Sequence, residues 1–134
     1  MIKTVIFDLS EVYIQGIAGS NIFIEQLLGY PIEKEYFYNA SFNKYMLGEI
    51  PEDDYLKTII AENRWVVTVN KLKYAIRKNF KEIEGSREII EKLNDMGYRL
   101  ILLSNHGREW VAYCEARYDY HKLFKDIIYS YQIK

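Results

Sequence analysis

Residues 3–7, "KTVIF", form a β-branched and aromatic run with almost no polar relief, and the run stops on an aspartate, Asp8. Far along the chain "YRLILLSN" does the same and stops on Ser104 and Asn105. Runs of this kind read as strands buried on both faces, as the strands of a parallel sheet are. A third short strand is expected in "FKDIIYSY". With helical segments between them, the strands specify an α/β fold: a parallel sheet joined by right-handed crossovers. In open parallel sheets ligands bind outside the carboxyl ends of the strands. If the first two strands are neighbours, Asp8, Ser104 and Asn105 share one mouth. A carboxylate, a hydroxyl and exposed backbone N–H groups there suit capture of a small anion and nucleophilic attack on it.

Between the first two strands the spacing is mostly helical. Ile22, Phe23, Gln26 and Leu27 recur at helical intervals, with Ser20 or Asn21 as cap and Gly29 as stop. "PEDDYLKTII" opens with Pro51, adds three acids near the positive end of the dipole, and repeats apolar at Tyr55, Leu56, Ile59 and Ile60. "VNKLKYAIRKNF" places Leu72, Ile76 and Phe80 on one side. Ser86 is expected to cap "REIIEKLNDMG", whose Ile89, Ile90, Leu93 and Met96 form a stripe ended by Gly97. "REWVAYCEARY" is one more helix. The expected division is an α/β core of residues 1–16 and 84–134, with a helical subdomain at 17–83 inserted in it.

Net charge is −1, from 18 basic and 19 acidic residues, which argues against nucleic acid or an anionic membrane as partner. Cys114 is the only cysteine, so no internal disulfide forms, and its mid-helix position suits a small buried hydrophobe. Apolar runs such as "LILL" are too short to span a bilayer, and "MIKTVIF" lacks the features of a signal peptide. A soluble cytoplasmic protein is the expectation.

"VIFDLSEV" followed by "EGSREIIEKLNDMGYRLILLSNHGREW" resembles the first two motifs of the haloacid dehalogenase-like (HAD) hydrolases, and "LFKDIIYSYQI" resembles the strand before the third. The resemblance covers residues 2–16 and 83–133. It implies a HAD-like Rossmannoid parallel sheet, here of about three strands, with a helical cap near 17–83. It also implies a Mg²⁺-dependent phosphohydrolase of small phosphorylated metabolites. Asp8 would be the nucleophile and a metal ligand, the backbone carbonyl of Ser10 a second ligand, and Ser104 and the Asn105 backbone N–H would bind the phosphoryl group.

Three departures from the family pattern bear on activity. The general acid two residues after the nucleophile is replaced by Ser10, whose hydroxyl does not titrate near neutrality; losing such help costs about 10²–10⁴ in rate. The third-motif lysine is not matched, Lys134 falling slightly early, and the later acidic motif is absent, so Mg²⁺ binding is expected to be weak or absent. Glu11, next to Ser10, would face away if the segment were strand-like. "SNHG" also resembles the second motif of dehalogenases, whose halide leaves without a proton, but these too use a downstream lysine. The other functional class is a non-catalytic half-domain. Stopping after three strands would leave residues 3–7 as an exposed apolar edge, available to a second copy or to a complementary C-terminal half.

Other residues take structural readings: His106 as a solvated loop residue, His121 as a packing residue, and Trp110, Tyr113 and Tyr118 as one helix's packing face. "EYFYNASFNKY" either lines a substrate cavity or packs the helical subdomain, the second being simpler. Lys71, Lys73, Arg77, Lys78 and Lys81 are read as a solvated face rather than a phosphate-binding one.

Overall fold

A computed structural model describes residues 3–133. Strand β1 (Thr4–Phe7) is followed by helices α1 (Asn21–Leu28), α2 (Phe42–Met46), α3 (Glu52–Asn63), α4 (Val69–Arg77) and α5 (Ser86–Asp95). Then come β2 (Arg99–Ser104), α6 (Arg108–Tyr118) and β3 (Asp126–Tyr129). The three strands form one parallel sheet in the order β1-β2-β3, with Ile6 opposite Ile101 and Ser104 opposite Tyr129. The α/β class and the pairing of the first two strands are as the sequence indicates.

Burial on both faces is not. Side chains alternate across a strand, and the register puts Val5, Phe7, Leu100, Leu102, Ile127 and Tyr129 on one face of the sheet. That face carries the core: Leu100, Leu102 and Tyr129 are buried, and Phe7 meets Phe124 edge-on with ring centroids 5.9 Å apart. The other face bears Ile6, Ile101, Leu103 and Ile128, and three of these are substantially exposed: Ile6 at 62%, Leu103 at 49% and Ile128 at 43%. The strands therefore read as doubly buried in sequence but are covered on one side only among the described residues.

Helix starts follow the expectation only in part. Ser20 stands at the N-cap of α1, but its hydroxyl makes no capping bond; it donates to the Ile17 carbonyl and bonds the Tyr36 hydroxyl at 2.7 Å. Ile24, rather than Ile22 or Leu27, is the fully buried side chain of α1. Ser86 is the first residue of α5, not its cap. Gly85 precedes it at φ 84°, a left-handed geometry glycine adopts without strain, and the Ser86 hydroxyl donates to Ile83 O. Of the α5 stripe only Ile90 is fully buried, with Ile89 and Met96 exposed. In α3 and α4 the expected faces are found: Tyr55, Leu56, Ile59, Leu72 and Ile76 are buried.

The helices after β1 pack on α6 through aromatic rings. Tyr45 stacks on Tyr55 with centroids 5.2 Å apart and meets Trp110 of α6 edge-on at 4.9 Å. Gly107 makes this approach feasible, because a Cβ there would lie 2.2 Å from the Tyr45 ring. Glu52, 1% exposed, accepts both guanidinium nitrogens of Arg77 at 2.8 and 2.7 Å and the Trp110 indole N–H at 2.6 Å.

Candidate functional site

Parallel pairing of β1 with β2 brings their carboxyl ends side by side, and the candidate site is built there. Asp8 is exposed just past β1, and its Oδ1 accepts the backbone N–H of Leu9 at 2.7 Å and the hydroxyl of Ser104 at 2.9 Å. Ser104 is buried, so this hydroxyl is fixed by its surroundings rather than by solvent. Asn105 follows, exposed at the mouth. The fold thus joins Asp8, Ser104 and Asn105, three of the residues singled out from the sequence.

Past Asp8 the chain turns instead of extending. The buried Leu9 gives its carbonyl to the N–H groups of Tyr13 and Ile14, both at 3.0 Å. Glu11 takes φ 63°, and its carboxylate accepts the Gly16 N–H at 2.8 Å. The strand-like geometry expected for Glu11 does not occur: the residue closes a loop, with its carboxylate committed to that loop's backbone. Gly16 lies against Ser10, whose hydroxyl would be 2.0 Å from a Cβ at this position.

Next to this loop is a chamber of about 230 Å³. Ser10, Glu11, Asn105, His106 and Tyr38 contribute polar groups to its lining, and Phe37, Phe42, Met46 and Trp110 supply apolar walls. Asp8 sits outside that lining, at the adjoining strand end. The aromatic segment 35–45 packs the core, where Phe37 and Tyr45 are buried, and Phe37, Tyr38 and Phe42 also border this chamber.

His106 departs furthest from its solvated reading. It is 3% exposed, packed edge-on to Trp110 with centroids 5.7 Å apart, and faces the chamber. Its backbone N–H donates to the Ser130 hydroxyl at 3.0 Å, which donates in turn to Met46 O at 2.6 Å. Burial pushes the imidazole pKa down to about 4, against an opposing pull from a backbone hydrogen bond at Gly107 and the charge of Asp8. The ring is therefore neutral at neutral pH, and its Nδ1 has no hydrogen-bond partner among the described residues. Ser130 was not anticipated, because a serine in "YSYQ" carries no local sign of what it will bridge.

His121 is structural as read, its Nε2 2.8 Å from the Tyr129 hydroxyl. Cys114 is buried, with its thiol pushed up to about 12 by burial. Lys134 lies outside the described residues.

Magnesium takes oxygen ligands in near-octahedral geometry. No cluster of three histidine, cysteine or acidic side chains able to hold a metal occurs among the described residues. Among the described residues Asp8 is the one carboxylate directly at the carboxyl ends of the strands, and its Oδ1 already accepts two hydrogen bonds. Asp8 and a Ser10 carbonyl do not by themselves fit a resident magnesium site. No described helix is long and apolar enough to cross a membrane.

Among solved structures the chain resembles a HAD family enzyme from Bacteroides thetaiotaomicron, with a TM-score of 0.75 and 18% identity over 98% of this chain and 70% of that one. The wild-type form of that enzyme in complex with magnesium and inorganic phosphate gives a TM-score of 0.72 at 20% identity, over 98% and 70%. A HAD-like family hydrolase from Porphyromonas gingivalis gives 0.65 at 19% identity, over 98% of this chain and 68% of that one. At these identities the likeness is one of fold. A search of curated proteins found no match. A family model described as haloacid dehalogenase-like hydrolase matches residues 5–134. That match takes in both strand ends and every helix between them, and the chain belongs to the haloacid dehalogenase-like hydrolases.

Proposed function

We propose that Asp8 is the nucleophile of a phosphohydrolase acting on a small phosphorylated metabolite, with turnover held down by Ser10. The observation that carries this reading is the 2.9 Å bond between Ser104 Oγ and Asp8 Oδ1, which fixes the carboxylate at the joint mouth of two parallel strands. With Oδ1 held by Ser104 and the Leu9 N–H, Oδ2 is the oxygen that attacks phosphorus. The P–O bond to the leaving group breaks as the aspartyl-phosphate bond forms, and water then releases phosphate and regenerates the carboxylate. Ser104 and Asn105 receive the phosphoryl oxygens. The helical stretch at 17–83 serves as the cap, and its Phe37, Phe42 and Met46 face the leaving group.

Ser10 and the neutral His106 border the chamber, and neither is a ready proton donor at neutral pH. An alkoxide leaving group therefore departs without its proton, whereas an aryl oxide needs little help. Magnesium was found with phosphate in the enzyme from B. thetaiotaomicron; here Asp8 and the Ser10 carbonyl would be its protein ligands among the described residues, and no step of the mechanism passes through it. A second reading, a phosphate-binding partner without turnover, is favoured by the serine in the acid's place.

The test is hydrolysis of an aryl phosphate and an alkyl phosphate in magnesium-containing buffer, for the native chain and Asp8→Asn. The expected result is aryl turnover that disappears in Asp8→Asn, with the alkyl ester slower by about 10²–10⁴. Phosphate binding without turnover of either ester supports the second reading instead.

A further inference from the structure

A second concave site lies away from the strand ends, where α1, α4 and α6 meet. It has a volume of about 350 Å³, within the range of small-molecule pockets. Four rings line it: Phe23 from α1, Tyr74 from α4, Phe80 just beyond α4, and Tyr113 from α6. Four cations complete the lining, Arg77, Lys78, Lys81 and Arg117, and no acidic side chain takes part in it. A solvated helix face is convex and mixes charges of both signs. Here the cations converge on a hollow with an aromatic floor.

The cations are also unequal. Arg77 is neutralised and held in place by Glu52, and its guanidinium lies over the Tyr113 ring, 5.4 Å from the centroid. Lys78 lies 5.1 Å from the centroid of the Tyr74 ring. Lys78, Lys81 and Arg117 form no ion pair among the described residues, whereas nearby Lys73 is paired with Asp53 at 2.6 Å. Three positive charges without an acidic partner, Arg117 resting on the Tyr118 ring at 5.8 Å, beside the exposed Tyr74 and half-buried Phe23 and Tyr113 suit a ligand with a flat π-system and a compact anionic group. Stacking on aromatic side chains is the sequence-tolerant way proteins hold nucleobases, and lysines and arginines hold their phosphates.

We propose that this groove binds a mononucleotide or similar aromatic phosphate, its ring on Tyr74 and Phe23 and its phosphate among Lys78, Lys81 and Arg117. The site is separate from the Asp8 mouth, although Phe80 links the two: its other neighbours are His106, at 6.3 Å between centroids, and Trp110, at 5.7 Å.

The test is calorimetric titration of the full chain with adenosine 5′-monophosphate, with inorganic phosphate and adenosine titrated separately and amide chemical shifts recorded to place the ligand. Expected are binding of the nucleotide more tightly than of either fragment, weakening with salt, and shifts centred on Phe23, Tyr74, Lys78 and Tyr113. Lys78→Glu with Lys81→Glu should weaken binding at least tenfold. Tyr74→Ala, at an exposed side chain that folding does not require, should weaken it by roughly fivefold or more. No nucleotide binding, phosphate binding as tight as nucleotide binding, or shifts centred on Ser10, Asn105 and His106 would each overturn the proposal.

Discussion

His106 shows how a side chain's chemistry can depend on residues far away in sequence. Read in place, "SNHG" is a polar loop at a helix start, and nothing local says otherwise. Phe80 and Trp110 pack against the ring, and Phe80 comes from the segment just after α4, on the far side of β2 in sequence. Asp8 and Ser104 were legible because each directly follows or ends an apolar run, so their position at the mouth follows from local pattern plus strand pairing. Burial of His106 also makes stability depend on pH. The native ring resists protonation down to about 4, whereas an unfolded histidine titrates near about 6.5. Above about pH 6.5 both states are neutral and the contribution is fully present. As pH falls from there towards 4, the unfolded chain takes up a proton that the native state refuses, and stability declines by up to about 3 kcal/mol. Below about 4 the native ring protonates as well and the loss stops growing. Urea unfolding between pH 7 and pH 5 should show this decline in the native chain and a smaller one in His106→Asn.

Helix positions were readable where the apolar spacing serves a single packing face, as in α3 and α4, and misread where it does not. In α1 Ile22 and Leu27 stay exposed because the helix seats Ile24 in the core instead, and periodicity alone could not select between adjacent apolar stripes. The larger miss was Glu52. In "PEDD" it looked like one of three equivalent acids at a helix start, yet Asp53 and Asp54 are exposed and Glu52 is buried. Its carboxylate ties the first turn of α3 to Arg77 at the end of α4 and to Trp110 of α6, and its backbone N–H donates to Glu109 at 2.6 Å. Replacing Glu52 by Ala strands a largely buried guanidinium and an indole N–H together. Breaking a buried pair from one side costs about 3–5 kcal/mol. Urea denaturation of Glu52→Ala should show a loss of that order. The double change Glu52→Leu with Arg77→Met, which removes both charges, should recover a good part of it.

The sheet's two faces differ in a way that bears on assembly. Parallel sheets are found with both faces covered, yet Ile6, Ile101, Leu103 and Ile128 line a face that no described helix covers, and β1 is an edge with unpaired backbone groups. The edge expected from the sequence is β1 itself; the uncovered face is a separate feature, arising because strands apolar enough for two covered faces have one among the described residues. Contiguous exposed apolar area of this kind, next to an open strand edge, drives association. We propose that a second copy covers this face, since an isologous contact would treat both copies' patches alike. Arg99 and Asp126, paired across the rim of that face, flank the patch with charge and leave its centre apolar. Sedimentation velocity over a wide concentration range should therefore show reversible self-association of these 134 residues. Leu103→Glu, a charge placed in the patch but outside the core, should shift the equilibrium towards monomer while leaving the circular dichroism spectrum unchanged. A monomer at every concentration would instead mean that the uncovered face is tolerated in water, and the association would have to be abandoned.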